Sequence, residues 1–239
     1  MRNEWRRVGT VLSISRFPVK AFRGESIDRA HLGWHGIDGD RRWALYRVDS
    51  VSGLPWASAR RFPVLSTYEV LGEPLVPRVL LDDGGVRPFS SPDVAEVMSS
   101  VLAENVRPFQ LWRGTYDSMP LSIVTTSSVD SLSSHVQHDL SLERFRSNLV
   151  IDDETDRAFP EEKWVGSEIR FGKGSDSARL RLDRKTERCN VIDVDPATGK
   201  ADAPAFEAIA DLRRKNLGAY GSTVRPGQIE VGMEVLLRV

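Results

Sequence analysis

The chain has 239 residues and a single cysteine, Cys189. That scarcity excludes an intrachain disulfide, a cysteine-rich zinc site and an iron–sulfur cluster held by cysteines, each of which needs several thiolates. Long apolar runs are also missing. No stretch approaches the roughly 18 residues that a membrane-spanning helix requires, and Met1 to Arg7 lacks the apolar core of a signal peptide. A cytoplasmic protein with no membrane partner is the expectation. Neither charge dominates: 33 Lys and Arg face 34 Asp and Glu, a formal net charge of -1. The basic footprint of a nucleic-acid binder is therefore absent. Histidine is sparse, and His135 and His138, three apart on a predicted helix, have no third ligand near them in sequence. The glycine-dense loop Gly33 to Arg42 leads into a strand rather than a helix and lacks the G-x-G-x-x-G spacing, so it carries no dinucleotide fingerprint.

What the chain does contain is a succession of short β-patterned segments divided by Gly, Pro and Asp. They run through Arg7 to Ile14, Trp43 to Val48, Ser66 to Val70, Val79 to Leu81 and Leu121 to Thr125, then Leu149 to Ile151 and around Ile169, Leu180 and Val191. Close spacing of this kind predicts a small barrel or sandwich. Three amphipathic helices interrupt it. The first opens at Ser91-Pro92, a capping residue followed by a proline suited to the first turn. The second follows Thr126-Ser127-Ser128 and carries Val129, Leu132 and Val136. The third starts near Asp202 or Pro204, shows Phe206, Ile209, Ala210 and Leu217 to the core, and stops at Gly218. The fold class is mainly β with a few helices (α+β). A division after the turn at Asp82 to Gly85 predicts domains 1–88 and 89–239.

The chemically distinctive window is Arg188-Cys189-Asn190-Val191-Ile192-Asp193-Val194-Asp195-Pro196-Ala197-Thr198-Gly199. Val191 to Val194 alternates like a short strand, and Asp195 to Gly199 is a turn. Cys189 lies beside Arg184, Lys185 and Arg188, and cations stabilise the thiolate, the form that ligates metals or attacks electrophiles. Read alone, a single cysteine more often describes a small buried hydrophobe.

This window resembles the signature of the MOSC domain, R-C-x-x-x-x-V-D-P-x-T-G. Other segments are similar to further motifs of that family in the same order: Phe17-Pro18-Val19-Lys20-Ala21, Gly39-Asp40-Arg41-Arg42-Trp43, Arg144-Phe145-Arg146-Ser147-Asn148, and Gly218 and Tyr220 followed by Pro226 to Val235. Ala21 stands where the family has serine, Ser147 where it has proline, and Ile192 where threonine is common. The resemblance implies a MOSC-type β-barrel preceded by a small N-terminal β-barrel domain. It implies a molybdenum–pterin cofactor (Moco) with Cys189 as metal ligand and catalytic residue. The implied activity is reduction of small N-hydroxylated substrates, with electrons from a separate reductase or ferredoxin-type partner. A persulfide sulfur carrier and a non-catalytic cofactor carrier are the alternatives. The cofactor's phosphate would need cations, and Lys20, Arg41, Arg144, Arg146 and Arg188 occupy the family positions for them. Thr126, Ser127 and Ser128 offer hydroxyls and helix N-terminal amides to the same phosphate, or simply cap their helix. Asn148 suits a pterin edge, or ties down its own loop.

Overall fold

The computed structural model describes residues 4–155 and 157–239. Seven strands carry the main body: β1 (Trp5–Arg16), β2 (Leu121–Thr125), β3 (Leu149–Asp153), β4 (Glu168–Phe171), β5 (Arg179–Glu187), β6 (Asn216–Arg225) and β7 (Glu234–Arg238). Their hydrogen-bonded order is β3-β2-β6-β5-β4-β7-β1, and β1 also pairs with β3, so the sheet closes into a barrel. Only β2 and β3 run parallel; the helix α2 (Thr126–Val136) makes the crossover between them. Closure depends on β1, whose first half pairs with β7 while residues Gly9 to Ile14 pair with β3. A side chain at Gly9 would put its Cβ 2.2 Å from the Asp152 carbonyl, so the seam closes only with glycine there. Val11, Ile14, Leu121, Ile123, Leu149, Ile169, Leu180 and Val235 fill the interior.

A second core belongs to the N-terminal part. Trp43–Arg47 pairs with Val106–Gln110, and a three-stranded sheet is formed by Val70–Leu71, Arg78–Leu80 and Val86–Pro88. Val19, Phe22, Leu45, Leu65, Val79 and Phe89 pack there with Val94 and Met98 of helix α1 (Pro92–Leu102). Ser91 caps α1 by accepting a bond from the Val94 amide, with Pro92 in the first turn, as the sequence predicts. A third cluster joins α2 to helix α3 (Ala205–Arg213) outside the barrel, through Val129, Leu132, Phe145, Ile192 and Ile209. Among the described residues, no helix is long and apolar enough to cross a membrane.

Three local expectations give way to side-chain hydrogen bonds. Pro63–Thr67 is a 3-10 helix in which the Ser66 hydroxyl bonds the Pro63 carbonyl, so a strand begins only at Val70. Asn190–Asp193 is likewise a 3-10 helix rather than a strand; Asp193 turns back to accept the Phe206 amide and so caps α3. The third helix stops at Arg213, not Gly218. Asn216 donates to the Arg213 and Arg214 carbonyls and seals the helix end, and Leu217 reaches the core from β6.

Candidate functional site

Where the barrel meets the N-terminal core, an open cleft of about 180 Å³ is lined by residues from several separate loops. Lys20 leaves the end of β1, Arg41 precedes the strand Trp43–Arg47, and Arg144, Arg146 and Asn148 lead into β3. Arg188 and Cys189 follow the end of β5. Seven of the ten candidate residues thus meet in one place, although up to 169 positions of sequence (189 − 20) separate them. Ala21, Arg41 and Arg146 all adopt left-handed backbone conformations, φ of 72°, 50° and 49°. Such geometry costs about 1–3 kcal/mol per non-glycine residue and gathers where a site demands it.

Thr126, Ser127 and Ser128 stand elsewhere. They form the first turn of α2 instead of capping it, and none lines the cleft. Thr126 and Ser127 bond Asp153, while Ser128 bonds the buried carboxyl of Glu161. The Thr126 and Ser127 hydroxyls tie α2 to β3, and that of Ser128 ties it to the 3-10 helix Pro160–Lys163. Asn148 is a splice: its Oδ1 accepts the Ser122 amide at 3.2 Å and its Nδ2 donates to the Ser15 carbonyl at 3.3 Å. It faces the cleft while joining β1, β2 and β3.

The electrostatics of the cleft are lopsided. Arg41 is paired with Asp40, Arg144 holds Asp202 through two bonds of 3.0 and 3.2 Å, and Lys20 meets Asp117 at 2.9 Å. Arg146 and Arg188 have no carboxylate partner among the described residues. Arg188 is buried and donates to the Leu217 and Phe145 carbonyls, both at 2.7 Å. Arg146 donates to the Phe22 carbonyl, and its guanidinium lies 4.5 Å from the centre of Phe17, as does that of Arg41. Burial, reinforced by Arg41, presses the Arg146 guanidinium down to about 9, and burial lowers Arg188 as well. Arg146 remains charged at neutral pH. Desolvated cations without counter-charge destabilise a fold unless something supplies the anion.

Two further groups point to a missing partner. Thr186, 2% exposed, and Arg144 both line the cleft, and the Thr186 hydroxyl and the Arg144 Nε are buried with no hydrogen-bond partner. Buried polar atoms are almost always paired. Cys189 is half-buried and caps the 3-10 helix Asn190–Asp193, with its thiol free. Among the described residues no cluster of three or more His, Cys, Asp or Glu could hold a metal. A metal at Cys189 would therefore bring its remaining ligands with it.

The MOSC domain profile matches residues 111–236, more than half of the chain, and the profile of the MOSC N-terminal beta barrel domain matches 8–115. The chain belongs to the MOSC family. Relatives include molybdenum cofactor sulfurase of Caenorhabditis briggsae, 29% identical over 118 residues, which are 48% of this chain and 16% of that protein. The human molybdenum cofactor sulfurase is 38% identical over 84 residues, 34% of this chain and 8% of that protein. Mitochondrial amidoxime-reducing component 1 of Danio rerio is 30% identical over 128 residues, 50% of this chain and 37% of that protein. The matches thus take in well under half of the length of each relative. The YuaD protein of Bacillus subtilis shares the fold, with a TM-score of 0.51 at 13% identity over 98% of both chains.

In this MOSC chain the donor set fits an anionic, metal-bearing group: one soft thiol, two uncompensated arginines and two orphaned donors around one cleft. Cys189 would hold the metal, and Lys20, Arg41, Arg146 and Arg188 would neutralise the anion. Residues without a pattern in sequence also line the cleft, notably Ser58, Arg60, Tyr116, Asp117 and Thr186. Asp117 is held by Lys20 and by the Trp56 indole at 3.0 Å, and Lys20 also donates to the Thr115 carbonyl. No periodicity marks Thr115 to Ser118 in the sequence.

Lys20 makes the cleft pH-sensitive. Burial lowers it to about 8, with Arg41 and Arg146 adding to the effect and Asp117 opposing it. Because its folded value lies below the usual 10.5, the charge is lost as pH rises through about 8. Between 8 and 10.5 the unfolded chain binds the extra proton, so this group adds stability as pH rises. Anion binding runs the other way. Sulfate, whose charge is constant here, is expected to bind the cofactor-free chain several-fold more weakly at pH 8.5 than at pH 7, a range below the value of about 9 to which Arg146 is pressed. Lys20→Arg should flatten that profile in a calorimetric titration; an unchanged slope means that Lys20 does not face the anion.

Proposed function

We propose that this MOSC protein binds the molybdenum–pterin cofactor in the cleft, with Cys189 as protein ligand, and reduces N-hydroxylated small molecules. The observation carrying this reading is the meeting of the only thiol with two buried arginines that have no carboxylate partner. When bound, the cofactor would supply two-electron or oxygen-atom transfer. The chain's own residues would neutralise the phosphate, orient the metal-bearing end toward Cys189 and leave the open mouth of the cleft to the substrate. The names of the sulfurase and amidoxime-reducing relatives support a molybdenum cofactor role.

Molybdenum analysis of the purified protein, followed by turnover of benzamidoxime with a chemical reductant, tests the reading. Metal without turnover favours a cofactor carrier. Absence of metal combined with a protein-bound persulfide on Cys189 favours a sulfur carrier.

Electrons have to come from outside the chain, because one cysteine cannot hold a cluster and no nucleotide loop is present. The metal-loaded protein with NADH alone is expected to be inert toward benzamidoxime, and addition of a reductase or ferredoxin-type donor to restore turnover. Such encounters are small and transient, so no stable complex is expected on a sizing column. NADH oxidation by the protein alone, matched one to one with product, would refute the separate donor.

A further inference from the structure

Five of the six cations that line the cleft are already engaged. Lys20 is tied to Asp117 and the Thr115 carbonyl, Arg41 to Asp40, and Arg144 to Asp202. Arg146 is tied to the Phe22 carbonyl, and Arg188 to Leu217 and Phe145. The sixth is Arg60. It is exposed, lines the same cleft beside Ser58 and Ala59, and has no hydrogen bond or ion pair among the described residues.

Its backbone is nevertheless fixed. Ala57 is buried and donates to the Leu45 carbonyl at 2.8 Å, and the amides of Arg61 and Phe62 both bond the Ser58 carbonyl, at 3.1 and 2.9 Å. Phe62 packs on the N-terminal core. The neighbouring Arg61 is anchored on Glu104 by its Nε at 3.0 Å, so the turn presents one bound arginine and one free one. A free guanidinium on a rigid turn, at the mouth of a cleft whose other cations are spoken for, has a defined use.

We infer that Arg60 is the closing cation of the cleft, folding over a bound phosphate-bearing ligand and forming charge-assisted hydrogen bonds to its phosphate oxygens. The inference rests on the reading of the cleft as an anionic cofactor site and adds a residue to it. The engaged arginines set a standing positive potential, but most of their donors already bond protein atoms. Arg60 brings five unused N–H donors in a planar fork that matches a phosphate. Its unpaired side chain allows entry, and its closure over a ligand slows release, so the effect falls mainly on dissociation.

The test is equilibrium dialysis of the full chain, purified free of cofactor, against radiolabelled inorganic phosphate at pH 7 and low ionic strength. Arg60→Gln is expected to weaken binding about tenfold, the loss of one charge-assisted contact to a phosphate. Arg60→Lys should recover part of that loss. Arg107→Gln, which removes the same charge from an exposed strand position outside the cleft, should bind as the wild type does. The thermal midpoint of Arg60→Gln should equal that of the wild type, since the side chain holds nothing in the apo fold.

Equal phosphate affinity in Arg60→Gln and wild type overturns the inference, as does a wild type that binds no phosphate. A parallel measurement separates this from the larger reading. If the wild type carries molybdenum while Arg60→Gln keeps full phosphate affinity, the cofactor site stands and Arg60 is not its closing cation. If Arg60→Gln loses phosphate but the wild type never carries molybdenum, Arg60 is an anion ligand and the molybdenum assignment fails.

Discussion

Cys189→Ala is expected to fold like the wild type, to retain less than about a tenth of the wild-type molybdenum, and to lose reductase turnover entirely. The thiol is the only one in the chain, and no cluster of harder ligands among the described residues could replace it. The side chain is half-buried and bridges nothing, so its removal should change stability by about 1 kcal/mol or less. Cys189→Ser provides the control, because it keeps the volume and exchanges a soft ligand for a hard one. Metal by mass spectrometry, thermal unfolding of the apo forms and turnover with a chemical reductant are the three readouts. Stoichiometric metal and activity in Cys189→Ala would sink the assignment of Cys189 as ligand. Retained metal with lost activity would keep the cleft as the cofactor site and confine the thiol to chemistry.

The second large effect is structural. Gly218→Ala is expected to destabilise the protein by about 3–5 kcal/mol, combining a left-handed backbone with overpacking. Gly218 opens β6 with φ +91°, and an added Cβ would lie 2.6 Å from the Ile123 carbonyl and 2.8 Å from the Arg188 guanidinium. The first contact presses on the barrel seam between β2 and β6, and the second on the seat of Arg188, whose Nε donates to the neighbouring Leu217 carbonyl. For a chain of this length the loss corresponds to a fall in melting temperature of roughly 10 °C. Gly221→Ala, where φ is not left-handed but the Cβ would also meet β5, separates overpacking from backbone strain. A Gly218→Ala protein that melts within a degree or two of wild type would show that β6 can shift at no cost, contrary to the closed register.

Much of the site was legible in the chain. Cys189 is conspicuous because the chain holds no other cysteine, and the five cations at loop–strand junctions line one cleft with it. The α1 cap was equally plain, because Ser91-Pro92 and an apolar stripe are local signals. Helix ends and short strands were less so. Asn216 sealing α3 and Asp193 capping it from a neighbouring turn are side-chain bonds that no periodicity records.

Local sequence left Thr126, Ser127 and Ser128 open between two roles, because a hydroxyl at a helix start looks the same whether it faces a phosphate or a carboxylate. Only the tertiary structure shows that Asp153 and Glu161 take them. Likewise, a run of arginines states how many charges exist but not which are already neutralised. Asp202 answers Arg144 from 58 residues away, Asp117 answers Lys20 from the loop before β2, and among the described residues no carboxylate answers Arg146, Arg188 or Arg60. Residue chemistry and local turn preference are written along the chain, and they determined a β-rich MOSC fold with one thiol and several cations at loop–strand junctions. Barrel closure and strand register determine which distant charges come within bonding distance, so the tertiary structure alone decided which cations remain for a ligand.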